Sequence, residues 1–352
     1  MKSKMELTSE TPTQFWNDSC SIKELSDAIE HGAVGATTNP VIVYGVITSE
    51  EEYWKELVDG VLKEYEIETD AFVTWEIIKR IGSKAAKLLY PVYQKTNGAK
   101  GRISLQVNPE YYSNGDLLIQ HAKELSTTAE NIAIKIPCTA AGLTAIEELT
   151  AAGICVNITV SFSVSQAIKG AEAIERGLKR AKKNNIDTLR YTPFVTIMVG
   201  RVDDHLKHVA EKENILIDPG YFEWAGVAIM KKAYQIFMER GYNSILLSAA
   251  YRNHMHWSEF IGGNVIVSIP YKWWNKYNNS SVEVMDRINK PVSKEIVDTL
   301  YENFEDFRIA YEEDGMKPEE FVNYGASVHT LNQFTGTYYE LLNYIRNKRI
   351  SK

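Results

Sequence analysis

The sequence predicts an α/β protein folded as a (β/α)8 TIM barrel, and three observations carry that expectation. Eight short strand-like runs are separated by helix-like segments, the alternation that builds βαβ units and a parallel sheet. Eight such units close into a barrel. No G-x-G-x-x-G follows an early strand, which disfavours the competing open doubly wound sheet with a dinucleotide site.

The strand-like runs are, in order, TQFWNDS (13–19), GATTNP (35–40), GRISLQV (101–107), IAIKIP (132–137), GICVNITVSF (153–162), LRYTPFV (189–195), SILLSAA (244–250) and NVIVSIP (264–270). Between them lie periodic segments such as SNGDLLIQHAKELS, TAAGLTAIEELTAAG and SVSQAIKGAEAIERGLKRAKK. A barrel uses about 250 residues. The surplus of this 352-residue chain divides between a helical insert around 50–97 and a helical C-terminal extension from about 277 to 352. In the latter, SVEVMDRINK, SKEIVDTLYENFEDFRIAYEE and TLNQFTGTYYELLNYIRNKR read as helices. With no linker, low-complexity tract or repeat, residues 1–352 read as one elaborated domain.

Composition narrows the function class. A charged share of 24% and a hydrophobic share of 44% are those of a soluble globular protein. A net charge of −7 argues against a nucleic-acid partner. No apolar run is long enough to span a membrane, and the N-terminus lacks a signal-peptide core. Cys20, Cys138 and Cys155 show neither pairing nor metal-ligand spacing, so a reducing, cytoplasmic location is expected, with no metal.

Strand side chains alternate between faces with period two, and one face of a barrel strand fills the interior. In the fourth strand Ile132, Ile134 and Ile136 point toward the helices, leaving Ala133 and Lys135 inward. The same count makes Asp18, Asn39, Gln106, Asn157, Thr159 and Thr192 inward, pairs Thr192 with Phe194, and puts Ser248, Ala250 and Arg252 on one face of strand seven. A packed interior would call for Val, Ile and Leu. This set is polar and lies near the C-terminal strand ends, where barrel active sites occur.

Lys135 is the sharpest residue. An inward lysine paired with Asp18 as a structural ion pair is the bland reading, but buried lysines are costly. Desolvation lowers an ammonium pKa and frees the amine to attack carbonyls. The Schiff base so formed is an electron sink needing no cofactor. Asp18 is the carboxylate for proton transfer, Asn39, Asn157, Thr159 and Thr192 offer neutral hydrogen bonds, and Arg201 and Arg252 are cations where a phosphate could dock.

WNDS, GATTNP, IAIKIP, VNITVSFSVSQA, TPFV…GR and AAYRN occur in the order and spacing of the transaldolase family, which the chain resembles from about residue 13 onward. That resemblance implies a barrel of the class I aldolase type and no cofactor. Lys135 would form the Schiff base, Asp18 would accept the C4-hydroxyl proton, and Asn39 and Asn157 would bind the dihydroxyacetone portion. Thr159 would help hold a catalytic water, Thr192 would bind substrate, with Phe194 beside it, and Arg201 and Arg252 would bind phosphate. TLNQFTGTYYELLNYI resembles the family's helix across the barrel mouth.

Three positions depart from the family pattern. Gln106 stands where transaldolases usually carry Glu, as in the fructose-6-phosphate aldolase branch, and an amide cannot serve as a base. Phe194 looks transaldolase-like, where that branch has Tyr. Ala250 replaces a frequent phosphate-binding Ser, and TPFVTIMVGR is longer than the usual SPFVGR.

The expected activity is therefore transfer of a dihydroxyacetone unit between sugar phosphates. Alternatives are a lyase that releases dihydroxyacetone and, from another class, a non-catalytic sugar-phosphate sensor. Either a monomer or a homo-oligomer is compatible with the sequence. His205 and His208, near Asp203 and Asp204, read as a solvated helix face rather than a metal site. HMH (254–256) lies near the barrel mouth, and YKWWNKY reads as packing between barrel and C-terminal helices.

Overall fold

A computed structural model describes residues 2–351. Eight parallel strands close into a barrel in chain order: β1 (Gln14–Asn17), β2 (Gly35–Thr37), β3 (Arg102–Gln106), β4 (Ile132–Pro137), β5 (Val156–Thr159), β6 (Phe194–Ile197), β7 (Ile245–Ser248) and β8 (Val265–Ile269), with β8 returning to β1. Helices cover the outside, so a strand face rich in β-branched residues is buried under them, as with Ile132, Ile134 and Ile136.

The barrel interior is layered. Its lower layer is apolar: Trp16, Ala133, Cys155, Phe194, Leu247 and Ile266 form one buried cluster. Gly35 is required there, because a Cβ would come within 2.3 Å of the Trp16 ring. Above this floor the inward residues turn polar, so the change of chemistry along one face marks the mouth.

Three sequence expectations are revised. The sixth strand is Phe194–Ile197, not 189–195. Residues 281–290, read as a helix, form an irregular strap instead. Val282 and Val284 disfavour helix by restricting χ1, and the strap's carbonyls are held from outside: Lys231 Nζ donates to Arg287 O (2.8 Å) and Lys290 O (2.7 Å). The expected 293–313 helix is two, Lys294–Asn303 and Glu305–Tyr311, divided at Phe304, whose backbone is extended.

The insert consists of the helices Glu51–Glu64 and Asp70–Lys95, the second capped by the Thr69 hydroxyl. The chain ends in the long helix Gly325–Ile350, which packs on this insert and on the helix Pro40–Ser49. Arg346 and Arg349 tie it to Asp70 at 2.8 and 2.6 Å. Among the described residues no helix is long and apolar enough to cross a membrane.

Candidate active site

A cavity of about 540 Å³ opens at the C-terminal ends of the strands, and Lys135 and Asp18 both line it. Lys135 is 4% exposed. Its neighbours are set by register: Gln106 on β3 and Asn157 on β5 sit directly beside it. Burial lowers the Lys135 pKa, and the charge of Asp18 partly opposes that. Burial raises the Asp18 pKa, countered by Lys135, by a hydrogen bond from Thr37 and by Arg201. For each group desolvation outweighs attraction, so the pair is driven toward its neutral forms.

Asp18 is held in place from β2. The Thr37 hydroxyl donates to Asp18 Oδ1. Its single proton is thereby used, so Thr37 accepts in turn from the Ser268 hydroxyl, 2.6 Å away. Asn39 lines the cavity while its Oδ1 caps the helix Pro40–Ser49 by accepting from Ile42 N–H at 3.0 Å. Thr159 lines it from the end of β5, just before Val160, which adopts φ 51°. Such a conformation is strained for a β-branched residue.

Two further expected residues flank Lys135 without lining the cavity. Asn157 is fully buried, donating to Ser104 Oγ (3.0 Å) and accepting from Thr196 Oγ1 (2.7 Å). Gln106 is 5% exposed, and its Oε1 accepts no hydrogen bond from any described protein group.

Thr192 and Phe194 do not reach the cavity. Thr192 precedes β6, and its carbonyl accepts from Cys155 Sγ at 3.1 Å. Phe194 packs edge-on against Trp16 in the apolar floor, with ring centroids 4.8 Å apart. Thr196 and Met198 line the cavity instead. The side-chain parity is unchanged, but the depth is displaced by four residues, about 13 Å along a strand. TIMVGR (196–201), not TPFV, is thus the segment lying at the site, and it has the length of SPFVGR. Methionine, rather than an aromatic residue, stands at its third position.

The register of β7 also differs from expectation. Leu247 and Ala249 face the interior, so Ser248 does not. Ala250 then adopts φ 64°, breaking the alternation, and Ala250, Tyr251 and Arg252 all border the cavity.

Arg201 and Arg252 lie on one wall. Arg201, in the first turn of the helix Val199–Glu213, donates to Gln333 Oε1 at 2.5 Å and stacks 5.6 Å from the Phe334 ring centroid. Burial and the nearby Arg252 charge push its pKa down to about 10. A guanidinium so disfavoured is prepared for an anion. Arg252 pairs with Asp204 at 2.7 Å. Phe334 closes one side of the cavity from the C-terminal helix, and Lys272 and Trp273 border it from the helix Tyr271–Asn278.

Sequence reasoning missed Thr196, Met198, Tyr251, Lys272 and Trp273, and placed Phe334 only through its segment TLNQFTGTYYELLNYI. The V-G-R that ends TIMVGR was the available signal for the first two. The packing expected of YKWWNKY is revised: Trp274 packs on the barrel side, against Phe15 (ring centroids 5.9 Å) and donating to Asn17 Oδ1 at 3.2 Å, while Lys272 and Trp273 line the cavity. The solvated-face reading holds for Asp204 and His208, which are exposed, and is corrected for the other two: Asp203 is fully buried against His256, and His205 is buried and bonds Asp306 at 3.1 Å. Among the described residues no group of three His, Cys, Asp or Glu side chains could hold a metal.

Residues 15–322 match the family model described as Transaldolase/Fructose-6-phosphate aldolase. The chain is 34% identical over 211 residues to Transaldolase 1 of Streptomyces avermitilis, covering 57% of this chain and 55% of that protein. It is 30% identical over 251 residues to Transaldolase 2 of Streptomyces coelicolor, covering 68% and 66%. A Transaldolase of Campylobacter jejuni is 35% identical over 198 residues, covering 54% and 59%. The matches span between about half and two thirds of these curated relatives' lengths. A closed eight-stranded barrel with a buried lysine on β4, together with a family match over most of its length, shows that this chain belongs to the transaldolase/fructose-6-phosphate aldolase family.

Proposed function

We propose that the protein transfers a dihydroxyacetone unit from a ketose phosphate, such as fructose 6-phosphate, to an aldose acceptor through a Schiff base on Lys135. One observation carries this reading: a buried lysine with a lowered pKa shares a cavity with Asp18, the sole carboxylate among the described lining residues, and with two guanidiniums. The printed names of the relatives agree with it.

The neutral Lys135 amine attacks the ketose C2 carbonyl, and the carbinolamine hydroxyl takes a proton from the protonated Asp18 carboxyl and leaves as water, giving an iminium and an Asp18 carboxylate. Asp18 accepts the C4-hydroxyl proton while the C3–C4 bond breaks. Its electron pair enters the iminium, leaving an enamine on Lys135 and releasing an aldose phosphate. Addition of the enamine to an acceptor aldehyde reverses these steps, with Asp18 returning the proton. Arg201 and Arg252 hold the phosphate, Asn39 the dihydroxyacetone hydroxyls, and Thr159 a water molecule. Asn157 acts through Thr196, which it orients, and Thr196 takes the substrate-binding role that the resemblance gave to Thr192.

A lyase that releases dihydroxyacetone is the second reading, and Gln106 favours it. Next to Lys135 an amide can position water but cannot exchange its proton. The cytoplasm is the proposed place of action, supported by three buried free thiols.

Incubation with fructose 6-phosphate followed by borohydride should fix a dihydroxyacetone-sized mass on the peptide containing Lys135. If no ketose leaves an adduct there, both enzymatic readings fail. Product that requires erythrose 4-phosphate identifies the transferase, and product without it the lyase.

A further inference from the structure

Arg201 and Arg252 share a wall although their charges repel, and they come from different segments. Arg201 lies in the helix Val199–Glu213, and Arg252 lies in the loop after β7. The side-chain tethers of the two guanidiniums, Gln333 and Asp204, are both exposed. The segments themselves are joined underneath by a pair that neither lines the cavity nor has a part in the chemistry above.

That pair is Asp203 and His256, each 0% exposed. Asp203 Oδ2 lies 2.8 Å from His256 Nε2, and Asp203 Oδ1 accepts from Gly226 N–H at 2.9 Å. His256 Nδ1 accepts from the backbone N–H of Arg252 at 3.1 Å. A backbone N–H only donates, so Nδ1 carries no proton and a single proton lies between Nε2 and Asp203. The carboxylate on the Arg201 helix is thereby linked, through one imidazole, to the main chain of Arg252. The same carboxylate anchors the start of the helix Ala225–Arg240. Asn253 Oδ1 fixes the imidazole segment, accepting from Met255 N–H (2.8 Å) and His256 N–H (3.3 Å).

We propose that the Asp203–His256 pair is the positioning device of the anion wall: it sets the separation of Arg201 and Arg252, and hence affinity for phosphorylated substrate, without touching substrate. This rests on the reading of that wall as the phosphate subsite. It explains why a carboxylate and an imidazole are buried together away from the cavity, where two apolar side chains would pack at lower desolvation cost.

Asp203→Asn tests the link. If the Asn amide donates to Nε2, the ring proton moves to Nδ1 and opposes Arg252 N–H. If the Asn amide is flipped instead, it opposes Gly226 N–H. Folded Asp203→Asn and His256→Phe variants should bind inorganic phosphate roughly tenfold more weakly by calorimetry and raise KM for fructose 6-phosphate by a similar factor. Their kcat should stay near native, as should trapping of unphosphorylated dihydroxyacetone at Lys135. His256→Gln, whose amide can serve both partners, should recover most of the affinity.

Native phosphate affinity in the folded variants, or equal losses with phosphorylated and unphosphorylated substrates, overturns the proposal. If the single variants do not fold, the apolar double variant Asp203→Leu/His256→Phe decides, because native phosphate affinity there is equally fatal. Failure of the unaltered protein to bind phosphate refutes this proposal and the phosphate subsite, while a trapped dihydroxyacetone adduct would leave the Schiff-base reading standing. Phosphate binding without any adduct has the opposite meaning.

Discussion

Removing both buried ionisable groups of the Lys135–Asp18 pair should stabilise the protein while abolishing its chemistry. The perturbation is Lys135→Met with Asp18→Asn, made singly and together. Desolvation is the largest influence on each group, and their mutual attraction is smaller for both. Replacing such a buried pair by neutral residues is neutral or stabilising by about 1–4 kcal/mol, whereas removing one partner leaves the other uncompensated. The Thr37 hydroxyl can still donate to the Asn carbonyl oxygen, so no hydrogen bond is lost on that side.

An unfolding entropy of about 2.1 cal/mol/K per residue makes 1 kcal/mol equivalent to roughly 1.4 °C in this 352-residue chain. The double variant should therefore melt roughly 1–6 °C higher than native. A double-mutant cycle by urea unfolding at pH 7 supplies the coupling, expected above about 1 kcal/mol because the groups act on each other directly. Single effects that add within about 0.5 kcal/mol, or a double variant less stable than both singles, would refute the picture of a costly buried pair kept for catalysis.

Further outcomes follow from other parts of the site. Gly200→Ala places a Cβ 1.9 Å from Ala250 O and 2.7 Å from Arg252 Cγ, which should cost about 1–3 kcal/mol in urea unfolding and weaken phosphate binding. Gln106→Glu supplies an exchangeable proton beside Lys135 and should raise acceptor-dependent turnover; unchanged turnover would show that proton transfer there is not limiting. The rate of borohydride trapping should climb with pH and level off below 10.5, the ordinary lysine value, because the Lys135 pKa is lowered. Asp18 raises that pKa, so the Asp18→Asn profile should shift toward lower pH, and a shift upward would contradict the assignment.

The chemistry was more legible in the sequence than the depth of each residue. Lys135 stands between isoleucines in a six-residue run, so parity alone puts it inside. Strand six offered no such anchor: TPFV and TIMV both alternate, and sliding from one to the other preserves parity while moving the site residues from the floor to the mouth. The left-handed residues Val160 and Ala250 were invisible for a different reason. Neither is glycine, so no local pattern marks a left-handed backbone at either position. The strap at 281–290 was misread because its apolar residues suggest a helix face, whereas its fixed conformation depends on the distant Lys231 ammonium.

Phe334 belongs to the last helix of the chain, yet it forms a wall around a lysine on the fourth strand. This has a consequence for biosynthesis. All eight strands can emerge from the ribosome and pair while the cavity around Lys135 still lacks one side. Only after synthesis has passed Phe334, and the Arg346 and Arg349 anchors have reached Asp70, is the cavity wall beside Lys135 complete. A nascent barrel would carry the Lys135 amine with one wall missing until the helix Gly325–Ile350 docks, so the time between barrel closure and that docking is when Lys135 is least protected.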